Sequence, residues 1–187
     1  MAKLLVFSGS TRANSLNAKL AAAAAAIAQQ QGADVTLINL ADYPASIYNG
    51  DDETANGIPE SIRQLKKIMA AHDGFIISSP EYNGHIPPLL SNTFSWASRA
   101  ENDETGMVAY TGKKAAIMGA SPGRLGGIRM LPRLRDTLAE LGITVVPGFV
   151  TLPMATSAFA DDGALTNEAA ATSTHSLVQR LIASCNA

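Results

Sequence analysis

Short, nearly continuous apolar runs alternate along this chain with segments whose apolar residues recur at helical spacing. The strand-like runs are Lys3 to Phe7, Asp34 to Asn39, Gly74 to Ser78, Lys113 to Gly119 and Thr144 to Leu152. Helical patterns lie between and after them: Ser15 to Gln31, Pro59 to Ala71, Pro87 to Arg99, Gly127 to Leu141 and Asn167 to Ser184. This alternation predicts an α/β fold, a doubly wound parallel sheet with helices on both faces. Strands covered on both faces have no solvent side, which is why they read as apolar runs rather than as alternation. Local signals mark several ends. Ser15 is placed to cap the first helix, Gly32 and Gly142 to stop theirs, and Pro59 to sit in a first turn. Two connections are long, Ala41 to Gly57 and Pro153 to Thr166. No repeat or linker interrupts the pattern, so residues 1–187 are read as a single domain.

The three most polar strand-to-helix connections follow three of these runs. They are Gly9-Ser10-Thr11-Arg12-Ala13-Asn14-Ser15-Leu16-Asn17, Ser79-Pro80-Glu81-Tyr82-Asn83-Gly84 and Ala120-Ser121-Pro122-Gly123-Arg124-Leu125-Gly126-Gly127. In a parallel sheet all three fall outside the carboxyl ends of the strands, where open α/β sheets bind ligands. The first combines free backbone N–H groups, a helix N-terminus and Arg12, a set that matches a phosphate. It lacks the Gly-Lys-Ser/Thr ending of a triphosphate loop and the spaced glycines of a dinucleotide fingerprint, so a monophosphate fits best. The bland alternative is a capped helix with a solvent-facing arginine. In the second loop Pro80 stiffens the turn, and Tyr82 and Asn83 are suited to the face or edge of a flat ring. Its alternative is a plain β–α turn leading into Pro87 and Pro88. The glycines of the third loop allow close backbone approach to a ligand, and its N–H groups can hold a ring carbonyl. A flexible surface connection is the competing reading there.

Composition narrows the classes. Hydrophobic residues make up 47% of the 187, and the formal net charge is -2, which gives no basic face for a nucleic acid. The one cysteine, Cys185, excludes a disulfide scaffold and a cysteine metal site. It has no close cationic neighbour in sequence and is not read as a reactive thiol. The three histidines, His72, His85 and His175, show no metal-ligand spacing. His72 and His175 read as surface residues, and His85 as a surface or interface residue, or as a proton donor or phosphate contact. Trp96 reads as core or interface, Tyr48 and Tyr110 as pocket or interface. No signal peptide and no membrane span are read, so the expectation is a soluble cytoplasmic protein with no membrane or nucleic-acid partner.

These loops, together with Asn92, Trp96-Ala97-Ser98-Arg99 and Gly119, resemble the NAD(P)H-dependent FMN reductases of the flavodoxin-like fold, a group that includes chromate and quinone reductases. The resemblance covers nearly the whole chain. It implies a five-stranded sheet of order 2-1-3-4-5, bound FMN, NADPH or NADH as co-substrate, a small-molecule electron acceptor and a homodimer or homotetramer. It places the phosphate on Ser10, Arg12, Ser15 and Asn17, with Leu16 alongside. The ring would lie against Pro80, Glu81, Tyr82 and Asn83, with Ser121, Pro122, Gly123 and Gly126 on another side. No catalytic side chain and no metal are implied. The chain departs from the family at His85, Ser91, Ser95 and Met130-Leu131-Pro132, and Pro132 is placed to disturb its helix. Two other readings compete with the reductase: a flavodoxin-type electron carrier and a flavin-binding redox sensor. Arg12 and the near-neutral charge argue against the carrier.

Overall fold

The computed structural model describes residues 1–187. In chain order the elements are β1 (Lys3–Ser8), α1 (Leu16–Gln30), β2 (Asp34–Ile38), α2 (Gly50–Asn56), α3 (Glu60–Ala70) and β3 (Gly74–Ser78). They continue with α4 (Pro88–Ala97), β4 (Lys114–Ala120), α5 (Met130–Glu140), β5 (Thr144–Val145), β6 (Val150–Leu152) and α6 (Glu168–Cys185). All strand pairs are parallel, in the order β2-β1-β3-β4-β5, and β6 also pairs with β4. The strand order is the expected one.

Successive strand side chains go to opposite faces, and each face has its own core. Leu5, Phe7, Phe75, Ile77 and Ile117 pack with Ile62, Leu65, Leu90, Trp96, Leu134 and Leu138 from α3, α4 and α5. Leu4, Val6, Ile76, Ala116 and Met118 pack with the alanine face of α1 and with Leu177, Val178 and Leu181 of α6. Trp96 is buried in the first core, where its indole N–H donates to the Ser46 carbonyl at 2.8 Å. Tyr110 is buried there too, and its hydroxyl donates to the Phe94 carbonyl. Its sequence assignment to a pocket or interface is thereby corrected. His72 is half-buried rather than a plain surface residue, with one ring nitrogen against the Ile68 carbonyl and the other against the Thr36 hydroxyl.

Register carries the strand ends to a common edge. Ser8 lies beside Ser78, and Ser78 beside Met118. The three polar loops therefore leave the sheet side by side.

The structure corrects the elements in four places. The run Thr144 to Leu152 is two strands, because Pro147 has no N–H to give a ladder and Gly148 turns at φ +87°. This makes the sheet six-stranded rather than five-stranded. Helix α5 starts at Met130, not Gly127, because Gly126 and Gly127 hold φ of +57° and +83°. That later start absorbs Pro132, which is third in the helix, where a missing N–H leaves no bond unmade. Pro59 is the cap residue before α3 rather than a residue within its first turn. The connection from 41 to 57 holds a 3-10 turn (Leu40–Asp42) and α2, whose start is signalled by the Asn49 cap and by Asp51, Asp52 and Glu53 in the first turn.

Candidate functional site

The three loops line one open cleft of about 350 Å3 at the sheet edge. Ser10, Arg12, Ser15, Leu16 and Asn17 enter it from the first loop, Pro80, Glu81 and Tyr82 from the second, and Ser121 and Pro122 from the third. Asn83, Gly123 and Gly126 are not among its lining residues. Asn14, Ala120 and Thr156 line it as well and were not singled out from sequence. Thr156 comes from the long connection after β6, which is sewn to the third loop. Ala155 N–H donates to the Ser121 carbonyl, and Met154 N–H to the Gly123 carbonyl, both at 3.0 Å. No local signal marks Thr156, because its place depends on that pairing.

The first loop leaves a large share of its donors unused. Ser15 caps α1, its hydroxyl oxygen accepting from Ala18 N–H at 3.2 Å, and its own proton is left to donate. The N–H groups of Thr11, Ala13, Asn14, Leu16 and Asn17 have no acceptor within the protein. Arg12 is exposed, and its guanidinium makes neither an ion pair nor a hydrogen bond with the chain. Unpaired N–H groups at a helix N-terminus beside a free guanidinium form an anion site. The donor set fits a phosphate monoester: it offers positive charge and backbone N–H groups, and the one carboxylate in the cleft is already neutralised.

That carboxylate is Glu81, whose side chain is 9% exposed. It accepts from the Arg129 backbone N–H at 3.0 Å and from its Nε at 2.7 Å, and pairs with its terminal guanidinium nitrogen. Arg133, one helical turn on, donates from Nε to the Gly84 carbonyl at 2.7 Å. The loop is also closed on itself. Tyr82 and His85 exchange backbone hydrogen bonds of 3.0 and 2.9 Å, and between them Asn83 and Gly84 hold φ of +54° and +77°. Positive φ at both central positions is the turn that Asn-Gly favours. Tyr82 is 49% exposed, and the exposed His85 is not part of the cleft lining.

Asn17 has a different place from its sequence reading as a free donor. Its side chain is buried. Its Oδ1 accepts from Ala120 N–H (2.8 Å) and from the Ser78 hydroxyl (3.1 Å), and its Nδ2 donates to the Ala120 carbonyl (2.9 Å). It ties the start of α1 to the ends of β3 and β4. Gly126 likewise serves packing: a Cβ there would lie 2.9 Å from the Pro153 backbone nitrogen.

A further cluster braces the helix beneath the second loop. Glu53 accepts from Arg99 Nε at 2.8 and 2.9 Å and from the Tyr48 hydroxyl at 2.8 Å. Tyr48 lies edge-on to Trp96 at 5.0 Å, and Asn92 accepts from Tyr48 N–H. The hydrogen bonds from Arg99, then from Tyr48, hold the Glu53 carboxyl below its ordinary range. Tyr48 and Asn92 thus brace the 44–53 segment against α4. Cys185 packs at the far end of β3, away from the cleft, and burial pushes its thiol up to about 11.

The sequence pattern of the NADPH-dependent FMN reductases matches residues 2–157. The chain belongs to that family. An NAD(P)H-dependent FMN reductase of Pseudomonas aeruginosa is 33% identical over 141 residues, 75% of this chain and 71% of that protein. A 2-hydroxy-1,4-benzoquinone reductase of a Burkholderia species is 33% identical over 144 residues, 77% of this chain and 74% of that protein. Among solved structures, the flavoenzyme NAD(P)H:(acceptor) oxidoreductase FerB of Paracoccus denitrificans superposes with a TM-score of 0.82. It is 28% identical and covers 100% of this chain and 98% of its own. As an FMN reductase family member the chain is an oxidoreductase that uses FMN and NAD(P)H, and its fold is flavodoxin-like. No helix in it is long and apolar enough to cross a membrane.

Proposed function

We propose that this FMN reductase family member passes reducing equivalents from NAD(P)H to a small acceptor, a quinone before free flavin, azo compounds or metal oxyanions such as chromate. The single cleft uniting the three loops, with an unpaired arginine at one end, carries this reading. Similarity to a benzoquinone reductase supports the quinone class.

In this reading Arg12, the hydroxyls of Ser10 and Ser15 and the open N–H groups of the first loop hold the FMN phosphate. The Asn17 side chain serves by fixing the loop, and its backbone N–H stays among the open donors. Pro80, Glu81 and Tyr82 border the ring on one side and Ser121 and Pro122 on the other, while Asn83, Gly123 and Gly126 set the turns of those loops from outside the cleft. The chemistry that FMN supplies is acceptance of a hydride from NAD(P)H and its delivery to an acceptor. The chain's own part is to bind and to orient. Arg129, the residue just before α5, and Arg133 within it hold the second loop in one conformation, so the ring-facing wall is set before ligand arrives. No side-chain acid or base is assigned, because the acceptor can draw its protons from water through so open a cleft. The exposed Ile47, Tyr82, Leu125 and Ile128 support assembly as a homodimer or homotetramer.

The test is an anaerobic visible spectrum of the FMN-reconstituted, desalted protein, with NADPH and then NADH added and a benzoquinone last. Retained bands that bleach with nucleotide and return with quinone are the expected outcome. Retained bands that do not bleach would contradict turnover and favour the carrier or sensor. No retained flavin would contradict the cleft assignment.

A further inference from the structure

Charge is segregated into two stretches of this chain. From residue 41 to 62 there are five carboxylates, Asp42, Asp51, Asp52, Glu53 and Glu60, and no lysine or arginine. From residue 121 to 135 there are four arginines, Arg124, Arg129, Arg133 and Arg135, and no carboxylate. Several of these charges find no partner within the chain. Asp51 and Asp52 are exposed and form no ion pair. Arg124 is exposed and equally unpaired, and Arg133 spends only its Nε, on the Gly84 carbonyl.

The fold brings both stretches to one face, on either side of α4. Helices α3, α4 and α5 share one core, so all three cover the same side of the sheet. The acidic stretch follows β2 and the basic stretch follows β4, and these strands lie on opposite sides of β3, the strand that leads to α4. The acidic stretch is tied to α4 through Asn92, Trp96 and Arg99 beyond its end. The basic stretch is tied to the loop entering α4, by Arg129 on Glu81 and Arg133 on Gly84. Between them α4 has no charged residue and shows Pro88, Ser91 and Ser95 to solvent.

Apolar side chains accompany the charges. Ile47, in the acidic stretch, is 85% exposed, yet both its neighbours are clamped. The Ser46 carbonyl accepts from the Trp96 indole at 2.8 Å and the Asn92 amide at 2.9 Å, and Tyr48 N–H donates to Asn92 Oδ1 at 2.8 Å. A side chain held out this firmly loses little freedom when it is covered. Leu125 and Ile128 are exposed among the arginines of the basic stretch. These features select the occupant. A foreign acidic or basic partner would satisfy one stretch and leave the other open. A second copy of the chain offers both, and a two-fold axis at α4 sets the acidic stretch of each copy on the basic stretch of the other, so both contacts form at once.

We propose that this face pairs two copies of the chain about a two-fold axis at α4. Asp51 and Asp52 of each copy face Arg124 and Arg133 of the other, and Ile47 meets Leu125 and Ile128. The proposal rests on the assembly reading above and gives that assembly its surface. It also joins pairing to the cleft, because Arg129 belongs to the basic stretch and holds Glu81 in the cleft wall.

The test is charge exchange, read by analytical ultracentrifugation of the full chain with FMN. The wild type should assemble, and more weakly as salt is raised. Asp51→Arg with Asp52→Arg makes both stretches basic, and Arg124→Glu with Arg133→Glu makes both acidic. Each double variant should lose the pairing, its dissociation constant rising at least about 100-fold, because like charges now meet at both contacts. Mixed one to one, the two variants should pair again, since each repels itself and attracts the other. Ile47→Ala should raise the dissociation constant about tenfold and leave the denaturation midpoint unchanged. A monomeric wild type overturns both this proposal and the assembly reading. Double variants that assemble as tightly as the wild type overturn this surface and leave the assembly reading standing. Folded variants that stay apart when mixed also overturn it. Should a double variant fail to fold, Ile47→Ala decides, and an unchanged dissociation constant overturns the proposal.

Discussion

The first and second loops leave the sheet from neighbouring strands and read alike in sequence, yet the fold treats them in opposite ways. In the first, the Arg12 guanidinium and five backbone N–H groups are left without protein partners. In the second, Glu81 is held by Arg129, Gly84 by Arg133, and Tyr82 and His85 by each other. Polar groups left open at a helix N-terminus are there to meet an anion. In the second loop the N–H groups of Glu81, Asn83 and Gly84 are also open, but its carboxylate and the ends of its turn are paired, and those pairs hold a shape. In the proposed reading the first loop binds charge and the second presents a wall, and substitutions in the two should differ accordingly.

The largest effect is expected between the loops, at Asn17. Asn17→Ala leaves the Ala120 N–H and carbonyl and the Ser78 hydroxyl without their partner, at a cost of about 3 kcal/mol in stability. Chemical denaturation of the apoprotein reads this. A loss below about 0.5 kcal/mol would remove Asn17 from its structural role. Next comes Arg12→Ala, which takes away a cation that nothing in the chain uses. FMN affinity should fall roughly 10- to 100-fold, the worth of a charge-assisted hydrogen bond, while apoprotein stability holds. Fluorescence titration with FMN and the denaturation midpoint measure the two halves, and a reversed pattern would erase the contrast between open and paired groups.

Arg129→Gln sharpens the comparison from the other side. The Arg129 side chain is 63% exposed, so stability should change by less than about 1 kcal/mol. Faster amide exchange at Tyr82 and His85 is the expected signature of a loosened wall. Unchanged exchange would show that the Asn83-Gly84 turn alone sets the loop.

The brace around Glu53 gives a pH test. Its carboxyl is held below the ordinary range in the folded state, so its contribution is fully present above the unfolded carboxylate value near 4.3 and is lost as pH falls through the lower folded value. The fluorescence of Trp96, the chain's one tryptophan, beside Tyr48, should change over that acid window and lose the change in Glu53→Gln. Cys185 gives the smallest signal: with its thiol pushed up to about 11, labelling by iodoacetamide at pH 8 should be slow. Rapid labelling would show that the end of α6 opens.

The sheet and the gathering of the three polar loops at one edge were legible because they follow from local patterns. Apolar runs, the Ser15 cap and the polar loops after β1, β3 and β4 are each readable within a dozen residues. What escaped the sequence depends on distant partners. Asn17 reads as a free donor until its bonds to Ala120, 103 positions away, are seen. Glu81 is placed against the ring with no sign of its partner until Arg129, 48 positions on, is found beside it. Thr156 has no signal of its own. Two misses had local signals: the Asn83-Gly84 turn and the acidic start of α2. The single strand read from 144 to 152 ignored the meaning of Pro147-Gly148.

The most direct measurement compares the affinity of the protein for FMN and for riboflavin, which differ only in the phosphate. The account predicts that riboflavin binds at least about 100-fold more weakly, since it leaves Arg12 and the open N–H groups of the first loop without an anion. Equal affinity for the two would contradict the assignment of that loop to phosphate, and with it the contrast on which the reading of the site stands.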